Sequence, residues 1–186
     1  MTTTKTKSLA LFALMVLLMA STRSHHFDTV THLPDASLAV FLLAGIYLPM
    51  LAFPALLVVA GLADYAAFNY ANISDWCFSP AYWFLVPTYA VLFYAGRFYA
   101  ARHSQTWRSL GLFALIACAA TSVAFVISSG SFFLFSGRFA EMSALPYAGS
   151  VAKYFLPYQI SAFMYLALAV AIQIAVSNFP KRATHA

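Results

Sequence analysis

The chain has 186 residues, of which 63% are hydrophobic and only 8% charged, with a mean hydropathy of +0.81. That balance excludes a water-soluble globule, whose surface needs far more charge. The formal charge of +5 comes from scattered Lys and Arg without a basic stripe, which argues against a nucleic-acid partner.

Apolar stretches recur along nearly the whole length, and none shows the strand-length alternation of a barrel. The composition therefore predicts an all-α polytopic membrane protein, a single domain over 1–186 embedded in a lipid bilayer. Six transmembrane helices are expected at roughly 8–22, 36–48, 50–68, 81–100, 107–128 and 150–177.

The first segment follows Lys5 and Lys7 and ends near Ala20-Ser21, a pattern shared with secretory signal peptides. Leu18 is unfavourable three positions before cleavage after Ala20, so the segment is expected to be retained. The second and third segments are separated only by Tyr47-Leu48-Pro49-Met50, and could form one kinked span. Charge decides between the two readings. Six spans collect Lys5, Lys7, Arg97, Arg102, Arg108, Lys181 and Arg182 on the cytoplasmic side, against Arg23, Arg138 and Lys153 outside. Five spans would put four cations inside and six outside. Six spans, with both termini cytoplasmic, satisfy the positive-inside rule.

Helix packing has a candidate basis in small residues at every fourth position, Ala63 and Ala67 in the third segment and Ala167, Ala171 and Ala175 in the last. Alanine abundance in membrane helices explains the same spacing without any packing role.

The topology gathers three outer loops, at 23–35, 64–79 and 129–149. All five acids (Asp28, Asp35, Asp64, Asp75 and Glu141) fall in them or at their edges, with His25, His26, His32, Arg138 and Cys77. This sorting makes the outer face the functional one. Cys77 sits in Ser74-Asp75-Trp76-Cys77-Phe78-Ser79-Pro80, a polar break between apolar segments. A thiolate there is a soft metal ligand or a nucleophile; a thiol can also be an inert small hydrophobe, which suits the mid-span Cys118.

Asp64 closes the third segment, where a carboxylate needs water, a cation or a ligand donor. Tyr82 opens the fourth and suits either a ligand cavity or an interfacial aromatic belt. Adjacent His25 and His26 cannot aim at one point, so one contacts a ligand or both meet headgroups. The run Ser128–Phe139, Ser/Gly-rich with three phenylalanines before Arg138 and a fourth after it, suits a lid over a large flat ligand.

His25 after the first helix, Asp64 ending the third, Cys77 in the loop, Tyr82 opening the fourth and the Ser-Gly-aromatic-Arg138 segment occur in an order that resembles one family. The chain is similar to the BtuM-like solitary vitamin B12-binding S-components of energy-coupling-factor (ECF) transporters, over essentially its whole length. The resemblance implies an S-component-like bundle in a bacterial inner (cytoplasmic) membrane, with its binding face towards the periplasm. Its substrate would be cobalamin or another corrinoid. Cys77 would ligate the cobalt, with a role in decyanation, while His25, Asp64, Tyr82 and Arg138 would contact or orient the corrin. The chain departs from the family where docking on a shared ECF energising module uses an alanine-x-x-x-alanine face: Ala10, Ala13 and Ala20 do not keep that spacing. No GxxxxGK[ST] sequence is present, so no nucleotide is bound in that way and any ATP dependence belongs to another chain. Two alternatives stay open, a membrane cysteine transpeptidase with Cys77 as nucleophile and an S-component for another vitamin.

Overall fold

A computed structural model describes residues 2–23, 33–70, 79–104 and 106–178. They form six α-helices and a short 3-10 turn: α1 (Thr2–Arg23), α2 (Ser37–Tyr47), α3 (Ala52–Tyr70), the turn (Pro80–Phe84), α4 (Leu85–Ala100), α5 (Trp107–Phe135) and α6 (Ala144–Asn178). In four helices, α1, α3, α5 and α6, an apolar stretch is long enough to cross a membrane. At 1.5 Å per residue α5 and α6 extend roughly 43 and 52 Å, beyond a hydrocarbon core of roughly 30 Å.

Segments two and three are separate helices. The chain breaks at Leu48, whose backbone is extended and whose N–H still bonds to Ala44 O, while Pro49 O accepts from Ala52 N to start α3. The carbonyl of Leu48, left without a partner inside the helix, takes a hydrogen bond of 3.1 Å from Arg97 Nη1, a cation at a helix C-terminus.

The shortest helix is the centre of the molecule. Eight of the eleven residues of α2 are buried, which is how a helix apolar on every side must sit. Its main neighbour is α4, approached through two glycines. A Cβ on Gly45 would stand 2.0 Å from Phe93 O, and one on Gly96 would stand 2.1 Å from Leu42 O. Backbone thus meets backbone where any side chain would separate the helices. The alanine series expected to pack on α6 does not do this: Ala167, Ala171 and Ala175 are all exposed. In lipid an exposed alanine costs nothing, so spacing alone does not mark a contact.

Two other departures concern α5. The Ser/Gly-rich segment expected as a lid is helical through Phe135, and α6 begins at Ala144, leaving a turn of 136–143. Glycine costs a helix about 1 kcal/mol, much less than unpaired backbone in a bilayer, so Gly130 is carried along. Gly137 supplies the stop. It has φ +72°, one position beyond the C-cap Ser136, a left-handed conformation suited to glycine. Phe132, Phe133, Phe139 and Tyr147 pack edge to face and tilted across this hairpin, and Tyr147 OH donates to Ser129 O at 2.8 Å. Deeper down, Gln159 of α6 accepts from Thr121 and donates to Ser122 of α5 at 2.9 Å, a polar clasp between two apolar helices.

Candidate functional site

One end of the bundle gathers the last residue of α1, the first turn of α2, the C-terminal half of α3 and the 3-10 turn before α4. They are joined by a single polar network. Arg23 Nε and Nη2 donate to the two carboxylate oxygens of Asp64 at 2.5 and 2.7 Å, a fork-to-fork ion pair. Arg23 Nη1 donates to Ser37 Oγ at 2.9 Å and Tyr89 OH at 2.7 Å. Tyr82 OH donates to Asp64 Oδ2 at 2.7 Å. Asp35 Oδ1 accepts from the backbone N–H and the hydroxyl of Ser37 at 2.9 and 2.6 Å, placing a negative charge at the start of α2.

The pair is shielded. The side chain of Arg23 is 9% exposed and that of Asp64 21%. Tyr89 lies stacked on Phe41 at 4.2 Å and below the Arg23 guanidinium, 5.6 Å from its ring centre. Thr22 Oγ1 accepts from Ala36 N at 3.1 Å, while Ser161 and Tyr165 of α6 donate to the carbonyls of Asp35 and Pro34 at 2.8 and 2.6 Å. Five helices therefore converge on this end. The carboxylate is a pre-oriented acceptor held by three donor contacts.

Of the residues singled out in the sequence, Asp64 and Tyr82 are in direct contact across 18 positions of chain. Arg138 lies in the α5–α6 turn, exposed, with its backbone N–H bonded to Ser136 Oγ at 3.3 Å. Three positions earlier, Phe135 stacks on Phe84 of the 3-10 turn at 4.7 Å, which ties that turn to the end carrying Tyr82. His25 and Cys77 lie outside the described residues, as do Asp28, Asp75, His26 and His32. Cys77 precedes Ser79 by two positions, and His25 follows Arg23 by two.

The sequence reading treated Arg23 as an outer-loop charge, whereas it is the hub of the network. A cation directly after the apolar stretch 8–22, opposite an acid towards the end of another span, was the available signal. Ser37 and Tyr89 carried no such signal, because a serine and a tyrosine inside apolar segments are ordinary. Tyr82→Phe should cost about 1.5 kcal/mol of stability, the lower end for a hydrogen bond to a charged acceptor, since Asp64 keeps Arg23. Thermal unfolding in detergent reads this, and an unchanged transition would mean that the phenol contributes no net bond.

No protein-family model matches the chain, and no curated protein matches it.

Proposed function

We propose that the protein binds a corrinoid, cobalamin or a close relative, at the end of the bundle built around Asp64 and takes part in its uptake across a bacterial inner membrane. The observation that carries the reading is the 2.7 Å hydrogen bond from Tyr82 to Asp64. It joins two of the five residues that the resemblance assigns to the ligand, on the chain segments either side of Cys77, and Arg23, which pairs with Asp64, precedes His25 by two positions. Arg138 at the tip of the α5–α6 hairpin supplies a cation for the phosphate or carboxamides of the ligand.

In this reading the end faces the periplasm, and both termini the cytoplasm. The Arg23–Asp64 pair favours that orientation, because it neutralises one of the three cations counted outside. The six-span count follows from the same orientation, with the short α2 and α4 crossing in company with their neighbours. An ECF-type energising module would be the partner that supplies ATP hydrolysis.

Cys77 is the cobalt ligand in this scheme. Its sulfur donates an electron pair to Co(III) and forms a Co–S bond; in cyanocobalamin the Co–C bond breaks and cyanide leaves with its own pair. The thiol proton leaves with it as hydrogen cyanide, and cobalt keeps its oxidation state.

Protein purified from cells grown with cobalamin should be pink to red, and Cys77→Ala should shift the visible spectrum or lose the ligand. Calorimetry with cobalamin and cobinamide separates the two corrinoids. A colourless protein that binds neither overturns the assignment, and covalent capture of Cys77 by a peptide substrate would favour the transpeptidase. In a Cys118→Ser background, labelling of Cys77 by an impermeant thiol reagent from the periplasmic side tests the orientation.

A further inference from the structure

At the end opposite the Arg23–Asp64 pair, a cavity of about 660 Å³ opens between α2, α4, α5 and α6. Its cause is a divergence of helices. The buried positions of α4 continue to Tyr99 and those of α5 begin at Ser109, but on α6 they stop at Leu166, and residues 171–176 are exposed. The last turns of α6 therefore leave the bundle and open a wedge.

The wedge has two kinds of wall. Leu43 and Ile46 of α2, Leu110 and Phe113 of α5 and Ala169 and Val170 of α6 make its interior apolar. Its mouth carries His103, Ser104 and Thr106 from the α4–α5 turn and Trp107, which is 84% exposed. Four hydrogen bonds tie the described residues of the turn to the helix ends. Tyr99 OH bonds to His103 Nδ1 at 2.8 Å and to Ser109 Oγ at 3.1 Å, Ser104 N donates to Ser109 Oγ, and Thr106 Oγ1 caps α5 through Ser109 N. Arg102 and Arg108 flank these residues in the chain, and none of the five acids falls between Asp75 and Glu141. Arg102 donates to Phe98 O and lies over the Phe98 ring, so Arg108 is the cation next in the chain to the mouth; the interior is greasy, with a volume inside the roughly 300–1,000 Å³ range of small-molecule sites.

We propose that this wedge is a binding site for one anionic phospholipid, an acyl chain between α6 and the α2–α5 wall and the phosphate at the mouth, beside His103, Thr106 and Arg108. An apolar slot open to the bilayer takes up hydrocarbon at no desolvation cost, and Arg and Lys near a headgroup attract anionic lipid by about 1 kcal/mol each. The site is independent of the corrinoid reading, since it shares no residue with it and needs only the membrane environment.

The test uses Trp107 as reporter in the full-length Trp76→Phe/Trp83→Phe protein, in detergent micelles doped with brominated phosphatidylglycerol or brominated phosphatidylcholine. Quenching by the anionic lipid should saturate at low mole fraction, with the zwitterionic lipid needing several-fold more. Arg108→Gln should weaken the anionic preference about fivefold, the equivalent of about 1 kcal/mol. Val170→Phe, which fills the slot, should abolish the saturable phase in a protein that still elutes as a single species. Equal quenching by the two lipids overturns the proposal. So does a Val170→Phe curve identical to the parent's, because charge attraction at the outer surface alone would then explain the preference. Should Val170→Phe fail to fold, the Arg108→Gln comparison and the lipid pair decide the matter, as both leave the helix interfaces untouched.

Discussion

Arg23→Met should destabilise the protein by about 3–5 kcal/mol, because it leaves Asp64 and its neighbours with an uncompensated charge. Asp64 is only 21% exposed, and among the described residues its remaining hydrogen bond would come from Tyr82. Ser37 and Tyr89 would lose their shared donor at the same time. The loss should appear as a lower unfolding temperature in detergent, read by intrinsic fluorescence. The double variant Arg23→Met/Asp64→Leu should recover most of it, since removing both partners removes the unpaired charge as well as the pair. Equal instability of the single and double variants would show that Arg23 acts through packing alone. On the proposed corrinoid reading, binding should be lost in the double variant even where stability returns, which separates a ligand role of Asp64 from its structural one.

The second large effect belongs to the glycines. Gly45→Val or Gly96→Val should give no folded protein, because the new Cβ would stand 2.0 or 2.1 Å from a backbone carbonyl oxygen of the facing helix. Ordinary overpacking costs roughly 1–3 kcal/mol by turning side chains aside. Here the obstacle is backbone, so α2 and α4 would have to separate along the centre of the core. Gly111→Ala and Gly130→Ala provide the contrast. A Cβ at either position meets nothing within 4 Å, and alanine is the better helix former by about 1 kcal/mol. Folded yield by size-exclusion chromatography distinguishes the two pairs, and a folded Gly45→Val protein would refute the close approach.

Apolar segment boundaries were readable to within a few residues for α2 and α3, because hydropathy changes sharply at Pro49 and after Phe68. They failed at the α5–α6 hairpin. Serine and glycine there suggested a loop, yet Ser131 satisfies its hydroxyl on Ser128 O within the helix and Tyr147 covers Ser129 O from the next one. Intrahelical and tertiary bonds overrode local propensity. The 3-10 turn at Pro80–Phe84, read as the first turn of a regular span, is set by the proline at its start and by Phe84 stacking on Phe135.

The sequence by itself determined the solvent and the helical class, since both follow from the cost of placing charge or bare backbone in hydrocarbon. It also made Asp64 and Tyr82 candidates. What only the tertiary structure decided is which groups satisfy one another. Arg23 and Asp64 stand 41 positions apart, and Gly45 meets α4 some 50 positions later. Such pairings depend on how five helices rotate about their axes. A single sequence carries the apolar face of each helix but not the depth and angle at which two of them meet.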